Sequence, residues 1–294
     1  MLFLQHQQQQ AIAEMAKLLA QQVAQVPGPK SNAISSRAAA EPGVWPYDPN
    51  SSFKDGEQII SLNNGHQMRI DDILYGYDTL FETRHLFSVG SWLGVQCQQD
   101  PSDATVIQQI VWDVKPRVIV DIGTNVGGSA LFFAHIMSAY AEPGQAIVLT
   151  VDPKMFTDNW DAAAKNLCPK CTFAGDSPLW KKYVQFHQGL SLDKATLEAI
   201  EAAIAKYGGP VLVSADGDHN YETVLNECRA LHKYVTKGSY LIVQDTKLDR
   251  LFKKPQSRAA ARQFVQENDM FVVDKSREWP MYSHHTDGYL LRVK

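Results

Sequence analysis

The C-terminal two thirds of the chain alternate short apolar runs with longer segments of helical spacing. Short runs rich in β-branched residues predict buried strands, and apolar residues at every third or fourth position predict helices. The predicted strands are 117–122, 146–151, 183–187, 210–214 and 239–243. The helices that follow them, in the same order, are 129–141, 158–167, 193–207, 221–235 and 256–267. This alternation predicts an α/β fold in which right-handed crossovers build a parallel sheet.

Two more apolar runs, 270–273 and 288–293, follow the last of these helices. An irregular turn joins them, so we expect them to pair as a hairpin at one edge of the sheet. The full prediction is a mostly parallel seven-stranded sheet with an antiparallel edge strand. One more helix, which Lys115-Pro116 ends, precedes the first strand.

The residues before this domain are expected to form two further regions. In the first, 1–43, segment 11–26 has one apolar stripe at helical spacing, and the remainder is typical of a flexible linker. The stripe suits either a neighbouring subunit, which would give a homo-oligomer, or the chain's own domain, and the sequence leaves both open. Residues 44–103 hold many aromatic residues at irregular spacing, which predicts a packed cap near the substrate. Residues 104–294 form the predicted cofactor-binding domain.

Composition and charge narrow the classes of partner. The formal net charge is −4, which gives no general attraction to nucleic acid or to an anionic membrane. No apolar run reaches the roughly 18 residues that span a bilayer. Residues 1–10 also lack the long apolar segment of a secretory signal. We therefore expect a cytoplasmic protein with a small-molecule substrate and with neither a nucleic-acid nor a membrane partner.

Cys168 and Cys171 have the C-x-x-C spacing of several metal and redox motifs. A structural zinc site usually needs a second pair of Cys or His ligands, and none follows at suitable spacing. The two cysteines also fall in a predicted loop, within a polar insertion at 168–180, rather than at a helix start. The sequence therefore predicts two loop thiols in a reducing compartment.

Residues 118–129, with the sequence VIVDIGTNVGGS, are the segment that gives the strongest indication of a ligand-binding site. A predicted strand enters a turn that contains Gly123, Gly127 and Gly128, and an apolar helix starts at Ser129. Such a strand-turn-helix unit places backbone N–H groups at the carboxyl edge of a parallel sheet, where open α/β sheets bind nucleotide-like ligands. The alternative is a turn that only lets the helix pack closely on the strand.

The spacing and charge of this turn narrow the choice of ligand further. It lacks the G-x-G-x-x-G of a dinucleotide site and the lysine of a phosphate-binding loop, which disfavours an NAD-linked oxidoreductase. Asp121 in the strand repels pyrophosphate but suits a ligand that carries an ammonium group. S-adenosylmethionine has an ammonium, a sulfonium and a ribose diol, so it fits the turn.

Further acids lie where the other predicted strands end. Asp152 follows the second strand, at the position that accepts hydrogen bonds from ribose hydroxyls in nucleoside-binding sheets. Asp216, Gln244 and Asp245 follow the fourth and fifth strands and offer hard oxygen ligands for Mg²⁺ or a similar ion. Such an ion would bind a substrate hydroxyl and lower its pKa. The alternative is that these polar groups only cap the following helices.

Several ordered motifs resemble the cephalosporin hydroxylase/rhamnosyl O-methyltransferase family over roughly residues 85–293. The motifs are Ser91-Trp92-Leu93-Gly94-Val95, Pro101-Ser102-Asp103, Val111-Trp112, 118–129, Asp216-Gly217-Asp218-His219, 238–246, 258–274 and 288–293. The resemblance implies a Rossmann-like class I methyltransferase fold, S-adenosylmethionine as cofactor and a divalent cation. It also implies methyl transfer to an oxygen of a small molecule, such as a sugar or a natural product.

The resemblance also implies roles for individual residues. Asp121, Gly123, Gly127 and Ser129 would hold the methionine half of the cofactor, with Asn125 of the same turn also in contact with it. Asp152 would hold the ribose, and Asp218 would lie near the cofactor. Asp216, Gln244 and Asp245 fall on the metal positions.

The chain departs from the family pattern in three places. Gln244 stands where the family usually has a carboxylate, which removes one negative charge from the metal site. Gly189-Leu190-Ser191 stands where the family tends to have Gly-Asp-Ser, and the insertion 168–180 has no counterpart. A non-catalytic S-adenosylmethionine-binding partner subunit with a weakened metal site is therefore the alternative to a metal-assisted O-methyltransferase.

The proton acceptor of such a reaction has two candidates in the sequence. His219 directly follows the Asp216-Gly217-Asp218 motif, and a histidine near its ordinary pKa takes a hydroxyl proton readily. Lys247, two residues after Asp245, is the second candidate. His284 and His285 are expected to be surface loop residues.

Overall fold

The structure is a computed structural model that describes residues 59–294 except 62, 161–166 and 281. The predicted N-terminal helix 11–26, the linker that follows it and the first part of the cap lie outside the described residues. None of the helices in the described part of the chain is both long and apolar enough to cross a membrane.

The described residues form the following elements in chain order. The strands are β1 Ile59–Ser61, β2 Gln67–Arg69, β3 Ser91–Trp92, β4 Val95–Gln96, β5 Val118–Ile122, β6 Ile147–Asp152, β7 Val184–Gln188, β8 Val211–Ala215, β9 Tyr240–Val243, β10 Phe271–Val273 and β11 Tyr289–Arg292. The helices are α1 Ile70–Thr83, α2 Pro101–Val114, α3 Gly128–Met137, α4 Phe156–Asn159, α5 Pro178–Tyr183, α6 Lys194–Tyr207, α7 Tyr221–Leu231, α8 Lys247–Phe252 and α9 Ser257–Glu267.

Seven of these strands form one sheet in the order β10-β11-β9-β8-β5-β6-β7. The five strands from β9 to β7 are mutually parallel, whereas β11 is antiparallel to both of its neighbours. The prediction of a mostly parallel seven-stranded sheet with a reversed strand at one edge is therefore confirmed. Chain reversal after β10 inserts β11 between β9 and β10, so the last strand reaches inward toward the centre of the sheet.

The centre of the sheet is buried on both faces. Every residue of β5, β6, β8 and β9 is buried, which explains why these strands read as near-continuous apolar runs. One face packs mainly against α2 and α3, through residues such as Ile107 and Phe132. The other face packs against α6, α7 and α9, through residues such as Ile200 and Phe264. The resulting three layers are those of an α/β domain.

The insertion between β6 and β7 differs from its prediction. Cys168 and Cys171 form a disulfide rather than two free thiols. The Cys171 N–H donates to the Cys168 carbonyl at 2.9 Å, and this tight turn brings the two side chains together. Cys171 also packs beside Val126 of the glycine turn, so the insertion covers that turn instead of forming a separate loop.

The start of α3 requires a glycine for a reason that the structure makes explicit. A Cβ atom on Gly128 would overlap the Gln96 carbonyl oxygen and press on the Cys97 backbone, since β4 crosses close to the helix start. We expect Gly128→Ala to lower the free energy of unfolding by about 1–3 kcal/mol through overpacking. Urea titration monitored by far-ultraviolet circular dichroism measures this change.

Gly76 supplies the matched control, because it lies inside helix α1. Apart from its chain neighbours and its own helix backbone, no atom of the described residues lies within 4 Å of the position that a Cβ would occupy. Gly76→Ala should raise the free energy of unfolding by about 0.4–1 kcal/mol, since alanine is the better helix former. Equal effects of the two substitutions would contradict this account of the contact between β4 and α3.

Candidate functional site

The carboxyl ends of β5, β6, β8 and β9 lie side by side at one edge of the sheet. The backbone hydrogen bonds continue past the strand ends: Asp216 N–H donates to Ile122 at 2.9 Å, and Gln244 N–H donates to Ala215 at 3.0 Å. Gly123 N–H donates in the same way to Val151 at 2.8 Å. The residues directly after these strands are thereby held in fixed register.

The glycine turn after β5 packs closely on the neighbouring segments. Gly123 has φ +100°, and a Cβ there would overlap the Asp216 carbonyl. Gly127 has φ +91°, and a Cβ there would press on Ala174 and Trp180 of the insertion. Both glycines are required, because each has a positive φ and leaves no space for a side chain. The close approach at Gly123 brings the turn next to the acids after β8.

Asp121 is fully buried beneath this turn. Its Oδ2 accepts hydrogen bonds from Ser129 Oγ at 3.0 Å and from Thr150 Oγ1 at 2.8 Å. Its Oδ1 has no hydrogen-bond partner among the described residues. Burial raises the pKa of Asp121 to about 7, although the two hydroxyl donors act in the opposite direction.

Asp152 at the end of β6 organises the turn from the other side. Its Oδ2 accepts the N–H of Asn125 at 2.9 Å, and its Oδ1 accepts the N–H of Lys154 at 2.9 Å. Asn125 has φ +48°, a conformation that asparagine tolerates better than most residues. Asp152 therefore holds the turn in place, and each of its oxygens keeps a further lone pair for a ligand.

Asp216, His219 and Asp245 come together beyond β8 and β9. One potential ligand atom from each of them lies within 4.8 Å of the other two, and His219 Nε2 is 3.7 Å from Asp245 Oδ2. Burial and the charge of Asp245 raise the pKa of Asp216 well above its ordinary value. A group of oxygen and nitrogen donors with this much negative charge is suited to a cation.

Gln244 has a different environment from the one that its predicted metal role implies. It is buried between β8 and β9, and its Nε2 donates to Ser214 Oγ at 2.7 Å. That bond fixes the amide within the sheet edge. His219, rather than Gln244, is the third potential ligand that the structure groups with Asp216 and Asp245.

Lys247, at the start of α8, is buried among polar partners. Its Nζ lies 2.8 Å from Glu82 Oε1 of α1 and 3.5 Å from Asp245 Oδ1. Burial alone would lower the pKa of Lys247, but Asp245 and Glu82 hold it above its ordinary value. The pKa of Asp245 is lowered: burial would raise it, and Lys247, followed by His219, outweighs burial.

The prediction that His284 and His285 lie in a surface loop is wrong. Both are buried, because insertion of β11 beside β9 draws the preceding loop under the site. His285 Nδ1 accepts the N–H of Asp245 at 3.0 Å, which anchors Asp245 in its left-handed conformation with φ +52°. His284 Nδ1 lies 3.2 Å from Lys247 Nζ, and burial and this lysine lower the pKa of His284.

Asp218 has a structural task at the start of α7. Its Oδ1 accepts the N–H of Asn220 at 3.1 Å, and its Oδ2 accepts Thr223 Oγ1 at 2.9 Å. Burial of part of the side chain opposes ionisation, but these donors lower the pKa of Asp218. Asp218 thus organises the turn that leads into α7, and contact with a cofactor stays a prediction.

Glu227 is a candidate functional residue that was not predicted from the sequence. It lies on the buried face of α7, and its Oε2 has no hydrogen-bond partner among the described residues. Burial raises the pKa of Glu227 to about 7. A charged residue on the apolar face of a predicted helix was the available signal, because such a residue is seldom buried without a role.

Comparison with known proteins decides the family. The sequence profile described as Rhamnosyl O-methyltransferase/CmcI matches residues 85–293. The chain belongs to this family. The resemblance inferred from the motifs is thereby confirmed, and family membership makes the chain an S-adenosylmethionine-dependent O-methyltransferase.

Individual relatives agree with this membership. A rhamnosyl O-methyltransferase of Mycobacterium leprae is 26% identical over 242 residues, which are 80% of this chain and 97% of that protein. A rhamnosyl O-methyltransferase of Mycobacterium bovis BCG is 30% identical over 159 residues, which are 54% of this chain but only 58% of that protein.

Two solved structures share the fold. An apo structure of CmcI has a TM-score of 0.51 at 19% identity, over 70% of this chain and 77% of that one. A structure described as CmcI with Mg-SAM has a TM-score of 0.50 at 20% identity, over 70% of this chain and 78% of that one. The Rossmann-like class I fold predicted from the sequence is therefore confirmed.

The buried pair of Lys247 and Glu82 gives a test of the site's electrostatics. Lys247→Met leaves Glu82 and Asp245 without their cation, so the free energy of unfolding should fall by about 3 kcal/mol or more. Glu82→Gln combined with Lys247→Met should recover about 1–2 kcal/mol of that loss, because the stranded carboxylate is gone. Urea titrations of the two single variants and the double variant measure the coupling, and strictly additive losses would show that the pair is not coupled.

Proposed function

We propose that this protein transfers the methyl group of S-adenosylmethionine to a hydroxyl of a small molecule or glycoside, with a divalent cation bound beside the cofactor. The observation that carries the proposal is the contact between the glycine turn and the cation-binding group, where Gly123 meets the backbone of Asp216. A methyl donor in the turn and a hydroxyl at the acids would then be neighbours. The named activity of the mycobacterial relatives supports a sugar hydroxyl as acceptor.

The turn fits the methionine end of the cofactor on a specific observation. Asp121 Oδ1 is buried, is an acceptor when ionised and has no partner among the described residues. The ammonium of the methionine moiety would supply the missing donor and charge. Gly123, Asn125, Gly127 and Ser129 would then surround this end of the cofactor, and Asp152 would hold the ribose. Asp218 follows β8, on the other side of β5, and would lie near the cofactor from there.

The acids beyond β8 and β9 fit a divalent cation. Asp216 and Asp245 would hold it, and its positive charge would offset the burial and the neighbouring Asp245 charge that raise the pKa of Asp216. When bound, the cation orients the substrate hydroxyl and lowers its pKa. Lys247 and the N–H anchor on His285 fix Asp245 in place for this task.

The two candidate proton acceptors are not equivalent in the structure. Lys247 is held in its charged form by Glu82 and Asp245, so it has no free lone pair for a proton and acts as a fixed cation. His219 is partly exposed and faces Asp245. Its imidazole has two chemical uses there: it accepts a proton, or it binds the cation through nitrogen.

A methyl-transfer assay with purified protein tests the proposal. The protein is mixed with isotope-labelled S-adenosylmethionine and with separate classes of acceptor: rhamnosides, other glycosides, phenols and simple alcohols. Formation of labelled product is followed with added Mg²⁺ and with EDTA, and calorimetry measures cofactor binding. We expect cofactor binding, cation-dependent transfer to a glycoside hydroxyl, and loss of transfer in EDTA.

Asp245→Asn is the informative variant, and Asp269→Asn is its control, because Asp269 is exposed and pairs with Lys294. Asp245→Asn should reduce turnover by about 100-fold or more while cofactor affinity changes little. Asp269→Asn should behave like the unmodified protein. Absence of cofactor binding would refute the proposal, and turnover that persists in EDTA would refute its cation half. Cofactor binding without transfer to any acceptor class would favour the non-catalytic binding subunit.

A further inference from the structure

We infer that His219 is a nitrogen ligand of the cation, so that this site favours a later first-row metal such as Co²⁺ or Zn²⁺ over Mg²⁺. The inference rests on the proposed function, since it concerns the same cation. It replaces the all-oxygen set Asp216, Gln244 and Asp245 with the set Asp216, His219 and Asp245.

The position of His219 supports its role as a metal ligand. Its ligating nitrogen falls within the 4.8 Å group formed with one carboxylate oxygen each from Asp216 and Asp245. The His219 carbonyl accepts a hydrogen bond from the buried Ser257 Oγ of α9 at 3.4 Å, which ties its backbone to the fold. The imidazole itself is placed by its approach to the acids, with Nε2 at 3.7 Å from Asp245 Oδ2.

The environment of Gln244 also favours His219 as the third ligand. Its side-chain nitrogen donates to Ser214 Oγ at 2.7 Å, and its backbone N–H donates to Ala215. The amide is neutral, so the site has two carboxylates rather than three. With less charge to hold a hard cation, the nitrogen donor decides which metal binds best.

The chemical type of the donor atoms determines which metal the site prefers. Mg²⁺ is held by oxygen ligands and water, whereas imidazole binds Zn²⁺, Fe²⁺ or Ni²⁺ well. For any mixed nitrogen and oxygen site, affinity also rises along the first-row series toward copper. The diagnostic property is therefore not the ranking of metals alone but its dependence on the His219 nitrogen.

Calorimetric titration of the metal-free full chain with MgCl₂ and with CoCl₂ tests this dependence. His219→Gln should weaken Co²⁺ binding by at least about tenfold and leave Mg²⁺ binding within about threefold. Gln244→Glu is the reciprocal variant, because it restores a third carboxylate at the edge. It should strengthen Mg²⁺ binding and reduce the preference for Co²⁺.

Pulsed electron paramagnetic resonance of the unmodified protein with bound Mn²⁺ gives a readout that does not depend on turnover. We expect a nuclear coupling from one directly bound ¹⁴N, which disappears in His219→Gln. Mn²⁺ binding without nitrogen coupling, together with an unchanged ratio of Co²⁺ to Mg²⁺ affinity in His219→Gln, would overturn the inference and leave the proposed function intact. Failure of the unmodified protein to bind any of these ions would overturn the inference and the cation half of the proposed function.

Discussion

The burial of carboxyl groups at one edge of the sheet is the constraint on which the rest of the site depends. Asp121, Asp216 and Asp245 follow or end neighbouring strands, and parallel pairing brings them to the same edge. Burial, with a smaller contribution from the charge of Asp152, raises the pKa of Asp121 to about 7. Burial and the charge of Asp245 raise the pKa of Asp216 well above its usual range. The folded chain therefore prepares two places where a ligand's positive charge is stabilised.

Lys247 divides this edge into two electrostatic regions. It keeps Asp245 ionised, while no cationic group of the described residues contacts the Asp121 carboxylate within hydrogen-bond distance. The lysine is itself fixed by Glu82 from α1, so the region before the sheet contributes to the site through charge as well as through packing. The buried histidines of the C-terminal loop complete the arrangement, because His285 holds the Asp245 N–H and His284 borders Lys247.

The sequence predicted those parts of the molecule that follow from local patterns. Strand positions agree to within one or two residues, since runs such as Val118–Ile122 are buried on both faces and are bounded by turns. The convergence of Asp121, Asp152, Asp216 and Asp245 also followed, because parallel strands share one carboxyl edge.

What the sequence could not supply depends on contacts between distant segments. The pairing of Glu82 with Lys247 joins residues 165 positions apart, and no local pattern predicts it. The burial of His284 and His285 depends on the inward position of β11, which the hairpin prediction did not include. The disulfide between Cys168 and Cys171 depends on a turn whose geometry the spacing leaves open. Gln244 was proposed as a ligand from its position at a strand end, which does not show its hydrogen bond to Ser214.

We expect the buried Asp121 carboxyl to stay protonated until a ligand ammonium binds beside it. Calorimetry of S-adenosylmethionine binding at pH 6, in EDTA and in buffers of different ionisation enthalpy, counts the protons exchanged. At this pH Asp121 is mostly protonated and an α-amino group, with a pKa near 8, is already charged. The unmodified protein should release about one proton per site, and Asp121→Asn should release much less. A binding enthalpy that does not depend on buffer, or equal proton release by both proteins, would contradict it.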